Sequence, residues 1–411
     1  MVDSGYNLSN TDSINDIMEI KLMVDMAKAA TGVGFQLTEE QQMLQKMARD
    51  FAREEILPVA AEYDEQAKFP EEIFHKAREI GLANMNIPEA YGGIGASAFE
   101  EVLVSEELAY GCTGISTSIG TNGLGALPII LAGNEQQKQY WLGEHLVEKG
   151  QFVSYGVTEA AAGSNVVGIQ TRAEKKNGSY VINGSKTFIT NASHAHLFTI
   201  FAKTDPEAGH RGMSCFVVDR DTPGVSVGKK FDKLGQRASD TAEIVFENVE
   251  VPAENLIGQE GHGFYLAMKV FDYSRPGVAA GAVGLQRRAL EESVKYAGER
   301  EAFGVPIYQH QAVGHKIADM AINYQASRLL VWQSAWQIDA GVVDPKIAAY
   351  AKAFAADMAT RAAVDAVQVF GGYGYMKEYP VEKLLRDVKI FQIYEGTSEI
   401  QRNIIVRELF R

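Results

Sequence analysis

The sequence predicts an α+β chain in three parts: a helical N-terminal domain, a middle β domain of sandwich or barrel type, and a C-terminal bundle of four to five long helices. Three observations predict it. Up to about residue 150 the apolar residues recur at helical spacing. From about 151 to 260 they alternate in short β-prone runs, and Asn-Gly pairs at 177–178 and 183–184 signal hairpins. From Gly261 onward the helical period returns in long segments. The expected division is a polar leader over 1–34, an N-terminal α domain over 35–150, a β domain over 151–260 and an α bundle over 261–411.

The elements follow in order. The leader holds Asp3, Asp12, Asp16 and Glu19 and no arginine, which fits neither a secretory signal nor a mitochondrial transit peptide. Residues 14–26 would make a weak amphipathic helix, with a disordered leader as the alternative. Ordered sequence is expected to begin near Phe35. Thr38-x-x-Gln41 is a capping box, and Met43, Met47 and Phe51 mark one helical face. Pro58 bends or ends that helix, and Pro70 and Gly81 bracket the next. A loop over 82–97 precedes a helix from about Ala98 to Ala109. The segment 111–125, GCTGISTSIGTNGLG, is small and polar yet reads as packed, and 134–149 reads as helix. Strand texture covers 152–158, LFTIFAKTD, MSCFVVD and TAEIVFENVEV, as far as Pro252. Helices are then expected at about 262–273, 277–300, 308–340, 345–369 and 379–392.

The totals exclude several function classes. An apolar fraction of 46% and a charged fraction of 22% over 411 residues are those of a soluble globular chain. A net charge of -14 argues against a nucleic-acid or anionic-membrane partner, while leaving room for an anionic small ligand. The two cysteines, Cys112 and Cys215, lie far apart without a CxxC, and the eight histidines form no HxxxH or HExxH. Neither a disulfide framework nor a metal site is expected. No apolar run reads as long enough to span a bilayer.

Chemistry concentrates in QIYEGTSEIQR, residues 392–402. Glu395 stands between an aromatic residue and Gly396, and Ser398-x-x-Gln401 fits a capping box, so a helix would begin just after the carboxylate. A carboxylate in apolar surroundings becomes a stronger base. A loop glutamate that caps the helix through its amides is the plainer alternative. Three further strings accompany it: YGVTEAAAGSN at 155–165 with Phe188, Ile189 and Thr190; FDYSRP at 271–276; and GEREAFG at 298–304 with IYQHQ at 307–311 and QVFGG at 368–372. Taken singly they read equally as a strand and turn, a structural ion pair, solvated helix surface and a helix C-cap.

Together, and in this order, these strings resemble the acyl-CoA dehydrogenase family, from about Phe35 to Arg411. REEILPVAAEYD, EELAYGCTG and AAGAVGL bring the likeness nearest to its medium-chain branch. The resemblance implies FAD-dependent α,β-dehydrogenation of an acyl-CoA thioester to a trans-2-enoyl-CoA, with Glu395 as the catalytic base. It places Asp272, Ser274, Arg275, Ser164, Tyr394 and Gly396 on the thioester side. It assigns Tyr155, Val157, Thr158, Gly163, Ser164, Phe188, Ile189 and Thr190 to the flavin, with Phe188 where many relatives carry tryptophan. Arg300, Phe303, His310 and Gln311 would meet the pyrophosphate and ring, since a guanidinium offers forked donors and permanent charge. Gln368, Gly371 and Gly372 would reach a flavin across a homotetramer interface, and Thr397 and Glu399 complete the set.

Some branches carry the base just before the arginine; here that residue is Ser274, which leaves Glu395. Gly120 replaces the acid that medium-chain relatives keep at the pocket floor, and no arginine lies between Gly111 and Leu124, against a dicarboxylate substrate. A short to medium straight acyl chain is expected, with a branched-chain dehydrogenase or an oxidase on the same scaffold as alternatives. A flavin-poor helical interaction module is a third. The implied electron acceptor is an electron-transfer flavoprotein. The implied location is the bacterial cytoplasm, or the mitochondrial matrix in a eukaryote.

Overall fold

Thr38 begins the first helix as its sequence demands. Its hydroxyl accepts from Gln41 N at 3.2 Å, and the Gln41 side chain returns the bond to Thr38 N at 3.1 Å. The computed structural model describes residues 36–411, so the leader, its amphipathic segment and Phe35 lie outside the described residues. It forms two compact units, the first ending at Met43 and the second spanning Leu44–Arg411.

The N-terminal domain is helical: α1 (Glu39–Phe51), α2 (Ala60–Gln66), α3 (Glu71–Glu79), α4 (Ala98–Gly111), α5 (Thr113–Ala132) and α6 (Glu135–Gln137), the last continued in π-helical form over Lys138–Glu148. Around Pro58 the chain bends through a π turn and a 3₁₀ turn before α2. The face expected of α1 is displaced. Met43 and Met47 are exposed, while Phe51 is buried as expected, together with Ala48 and Gln45.

Helix α5 was not expected from so glycine-rich a segment. Packing overrides propensity here. A Cβ on Gly125 would meet Val153 O at 2.9 Å, and one on Gly114 would meet the Gln236 backbone at 3.2 Å. Ser118 and Thr121 hydroxyls bond back to the carbonyls of Gly114 and Thr117, which occupies their polar atoms within the helix. By length and composition α5 is apolar enough to cross a membrane, against the sequence reading, but half of it is buried inside the fold.

The middle domain is one eight-stranded mixed sheet. It comprises β1 (Val153–Gly156), β2 (Arg172–Lys176), β3 (Ser179–Thr190), β4 (Leu197–Lys203), β5 (Met213–Asp219), β6 (Val225–Lys230), β7 (Thr241–Pro252) and β8 (Leu256–Ile257). Its order is β6-β7-β3-β2-β4-β5-β8, with β1 parallel on β4. Leu197 to Ala202 are all buried because β4 is covered on both faces. Asn177-Gly178 forms the expected β2–β3 hairpin, with φ of 50° and 87°. Asn183-Gly184 does not turn. It sits inside β3 at a bulge, where a Cβ on Gly184 would lie 2.6 Å from Thr171 Oγ1, so the glycine answers a close approach rather than a hairpin.

The C-terminal domain holds α7 (Gly263–Glu299), a hairpin of β9 (Glu301–Ala302) and β10 (Val305–Pro306), α8 (Gln311–Asp339), α9 (Pro345–Phe370), α10 (Val381–Val388) and α11 (Ser398–Leu409). The two helices expected around Pro276 are one 37-residue helix. Pro276 removes one amide bond, yet it and Arg275 are buried, and their packing holds the helix through the break. Helix α4 shares the bundle core with α7, α8 and α9. Beside that core Glu106 and Glu107 are buried against Arg287, Arg328 and Arg49.

The α4–α7 contact is close enough to test. A Cβ on Gly284 would fall 2.2 Å from Glu106 O, whereas one on Gly298 meets nothing within 4 Å. Gly284→Ala is expected to cost about 1–3 kcal/mol through overpacking. Gly298→Ala is expected to add about 0.5–1 kcal/mol through helix propensity. Denaturant unfolding of the two variants beside the parent measures both, and equal midpoints would contradict the packing.

Candidate active site

Glu395 lies in a left-handed turn between a 3₁₀ segment, Lys389–Gln392, and α11. Its φ is 52° and that of Gly396 is 89°. Left-handed backbone costs a side-chain-bearing residue about 1–2 kcal/mol, so neighbours must hold it. Gln401 Nε2 donates to Glu395 O at 3.0 Å and to Gly396 O at 2.9 Å. Lys352 Nζ, from α9, donates to Gly396 O at 2.6 Å. The helix cap is shifted from the expected box. Thr397 is the N-cap and accepts from Ile400 N at 3.2 Å, Ser398 donates to Asp357, and Gln401 is spent on the turn.

The carboxylate faces α7. Ser274 Oγ donates to Glu395 Oε2 at 2.5 Å. Arg275 is buried and ion-paired with Asp272, and its Nε has no protein partner. Burial pushes the Glu395 carboxyl above the ordinary glutamate range, while the Ser274 hydrogen bond, Arg275 and Lys352 pull it back. Tyr155, from β1, is buried with an unpartnered hydroxyl and packs edge-on against Phe271. Its phenol is held well above its usual value by burial, with smaller contributions from Cys215 and Glu395.

Tyr394 is anchored separately. Gln236 Nε2 reaches its hydroxyl at 3.4 Å, and Thr117 Oγ1 donates to Gln236 Oε1 at 3.1 Å. The fully buried Asp387 accepts from Gln236 N at 2.6 Å, Thr113 Oγ1 at 2.9 Å and Lys383 Nζ at 2.5 Å. One carboxylate thus ties α10, α5 and the loop before β7 beside Tyr394.

The other sequence-predicted residues fall into two groups. Phe188 is 61% exposed at φ 57°, beside Phe231, while Ile189 behind it is buried. Thr158 O accepts from Thr187 N, Thr190 O from Ser154 Oγ, and Val157 O lies 3.4 Å from Lys186 Nζ. Gly163 and Ser164 are exposed in the turn after β1. A buried Lys186–Glu159 pair at 2.6 Å locks that turn to β3. In the second group Arg300 lies over Tyr373, Phe303 is 97% exposed at φ 57°, and His310 approaches Ala302 O and the Phe303 ring. Gln311, Gln368, Gly371 and Gly372 are exposed, and a Cβ on either glycine would meet nothing within 4 Å. Glu399 is exposed, its carboxyl lowered by its own backbone amide and Thr397. Among the described residues no hydrogen bond links either group to the Glu395 turn.

Sequence reasoning missed Lys352, Gln236 and Asp387, and read Gln401 as part of the helix cap rather than as support for the turn. Lys352 carried one signal, a lone cation where its α9 neighbours at helical spacing are alanines. Among the described residues no group of three or more His, Cys, Asp or Glu side chains is arranged to hold a metal ion.

Comparisons with known proteins agree along the chain. Family profiles match in order: "Acyl-CoA dehydrogenase, N-terminal domain" over residues 38–148, its "middle domain" over 154–249 and its "C-terminal domain" over 261–410. A probable medium-chain specific acyl-CoA dehydrogenase, mitochondrial, of Caenorhabditis briggsae is 46% identical over 92% of each chain. Butyryl-CoA dehydrogenase from Megasphaera elsdenii superposes with a TM-score of 0.90 at 40% identity, over 92% of this chain and 100% of that one. A chain solved in work on the electron transferring flavoprotein of Acidaminococcus fermentans gives 0.90 at 41% identity, with the same coverage.

The turn makes its own prediction. A Cβ on Gly396 would take a strained φ and lie 2.7 Å from Gln401 Nε2. Gly396→Ala is expected to lower stability by about 1–2 kcal/mol, read as a lower thermal midpoint. An unchanged midpoint would mean that the turn relaxes freely.

Proposed function

The chain belongs to the acyl-CoA dehydrogenase family, and from that premise we propose that it oxidises a short to medium straight-chain acyl-CoA to the trans-2-enoyl-CoA, with Glu395 as the base. The enzyme is an FAD-dependent oxidoreductase. The observation that carries the proposed role is the Glu395 carboxyl itself: held by Ser274, raised by burial, and aimed by a turn that costs energy to keep.

The residues present fit the cofactor. Two aromatic faces, Phe188 and Phe303, stand open at positive φ, which bulky side chains rarely adopt without a reason. Arg300 supplies a permanent cation suited to a pyrophosphate. Gly163, Gly371 and Gly372 leave backbone accessible to a phosphate or ring edge. We assign Tyr155, Val157, Thr158, Ser164, Ile189 and Thr190 to the same face as Phe188. Arg300, Phe303, His310, Gln311 and Gln368 would serve a flavin shared within a homotetramer.

The chemistry divides accordingly. Bound FAD supplies the acceptor for the hydride that leaves Cβ. Glu395 takes the proton from Cα, and the electron pair of that bond forms the Cα=Cβ bond as the hydride departs. The Glu395 N–H has no protein acceptor among the described residues and would donate to the thioester oxygen as charge develops there. Gly396, lacking a side chain, lets that carbonyl approach. Arg275 and Asp272 border the thioester, and Tyr394 and Ser164 flank it. Gly120, within α5, has nothing within 4 Å of a Cβ, so no side chain there limits the acyl chain. The likeness to a chain studied with an electron transferring flavoprotein supports such a partner as the acceptor.

Two outcomes are expected. Glu395→Gln should keep its flavin absorbance and lose roughly a hundredfold to ten-thousandfold in kcat, the range for loss of a general base. The parent enzyme needs Glu395 ionised, so its kcat should fall as pH drops through a value above 4.5, the unperturbed glutamate value. A variant at wild-type rate would remove Glu395 from the role. Second, substrate should bleach the flavin anaerobically, and an electron-transfer flavoprotein should restore its colour faster than oxygen does. Faster return with oxygen would make the enzyme an oxidase.

A further inference from the structure

Among the described residues Lys352 is a buried cation without an ion pair. It is 1% exposed on α9, among Ala348, Ala349, Ala351, Ala355 and Ala356. Its hydrogen bond goes to the Gly396 carbonyl, and among the described residues no carboxylate lies within 4.0 Å of Nζ. Burying an unpaired ammonium costs several kcal/mol, and a methionine would fill the same space without that cost. A cation kept in such a place is explained by what its charge and its N–H do there.

We propose that Lys352 is a positioning residue for the base: its N–H locks the left-handed Glu395–Gly396 turn, and its charge stabilises the ionised carboxylate of Glu395. The geometry divides the labour. Gln401 reaches both carbonyls of the turn, but it is neutral and comes from the helix that follows. Lys352 comes from α9 and fixes Gly396 against the bundle core. The two grip the same carbonyl from different elements, so the turn can neither flip its peptide nor slide along α9.

Every charged group around this pair bears on the titration. Glu395 and Arg275 face Lys352 from the turn and from α7. Asp357 lies one turn and a half along α9 and is itself bound by Arg402, and Glu399 lies at the start of α11. Around Glu395 stand Ser274, Arg275 and Lys352, with Tyr155 across from β1. Burial pulls the Lys352 ammonium down to about 8, against the field of Glu395. It is therefore still protonated at neutral pH, where the base must be ionised.

This rests on Glu395 being the base, and the test separates the two ideas. The probes are the FAD-loaded Lys352→Met, Lys352→Gln and Lys352→Arg enzymes, assayed with a saturated straight-chain acyl-CoA across pH. In Lys352→Met the acid limb of kcat is expected to move up by about one pH unit, as loss of a nearby opposite charge requires. Its kcat at the plateau should fall roughly tenfold to a hundredfold through misplacement of the base, with KM changed little and flavin content unchanged. Lys352→Gln keeps a donor without charge and should show the shifted limb with a smaller loss of kcat. Lys352→Arg should return the limb towards wild type. If Lys352→Met does not fold, the limb of Lys352→Gln decides alone. A lower thermal midpoint with a wild-type limb in Lys352→Gln would reduce Lys352 to a structural role and overturn the proposal. An active Glu395→Gln enzyme would instead overturn the base assignment, whatever the Lys352 variants do.

Discussion

The site depends on a backbone constraint. Two successive residues, Glu395 and Gly396, hold positive φ, and only the second is a glycine. Without its neighbours the turn would relax towards the helical basin, and the carboxylate would swing with it. Gln401, Lys352 and the Thr397 cap convert an unfavourable conformation into a fixed one. The same pattern recurs. Setting aside Ala67 and the asparagines, which tolerate this region, the non-glycine residues at positive φ among the described residues are Phe188, Gln236, Phe303 and Glu395. Each is a candidate site residue or touches one. Strain is concentrated where geometry has to be exact enough for chemistry.

Electrostatics around Glu395, the proposed base, are balanced rather than extreme. Burial alone pushes the Glu395 carboxyl above the ordinary glutamate range. One hydroxyl and two buried cations offset that, and one of the cations, Arg275, is itself partly neutralised by Asp272. The result is a carboxyl more basic than a surface glutamate yet still able to ionise. That is the compromise a general base needs against a weak carbon acid.

Much of this was legible in the sequence, for a physical reason. Glu395, Gly396, Ser274 and Arg275 sit in short strings whose local chemistry is unusual. The alternation from helix to strand to helix follows from hydrophobic period, and the three-part α, β, α architecture is present. What escaped depends on contacts made at long range. Helix α5 is helical because Gly114 and Gly125 meet other backbones closely, which no local propensity reports. Pro276 fails to end α7 because burial holds the helix across it. Gly184 resembled a turn and is a close approach. Gln401 resembled half of a capping box, and its amide donates instead to the carbonyls of Glu395 and Gly396. Lys352 and Asp387 act on residues distant in sequence, so only the folded chain reveals them.

Asp387 carries a consequence for how the protein is made. Its hydrogen bonds join Thr113 and Gln236 to α10, and the turn that holds Glu395 follows α10 directly. A ribosome releases the N-terminal helices and the sheet first, and domains fold as they emerge. Gln401, which steadies the Glu395 turn, is synthesised after it, so the carboxylate can be aimed only once α11 has followed the turn out of the ribosome. A polypeptide cut between α10 and α11 would keep Ser274, Arg275 and Lys352 in place and have no fixed turn to offer them.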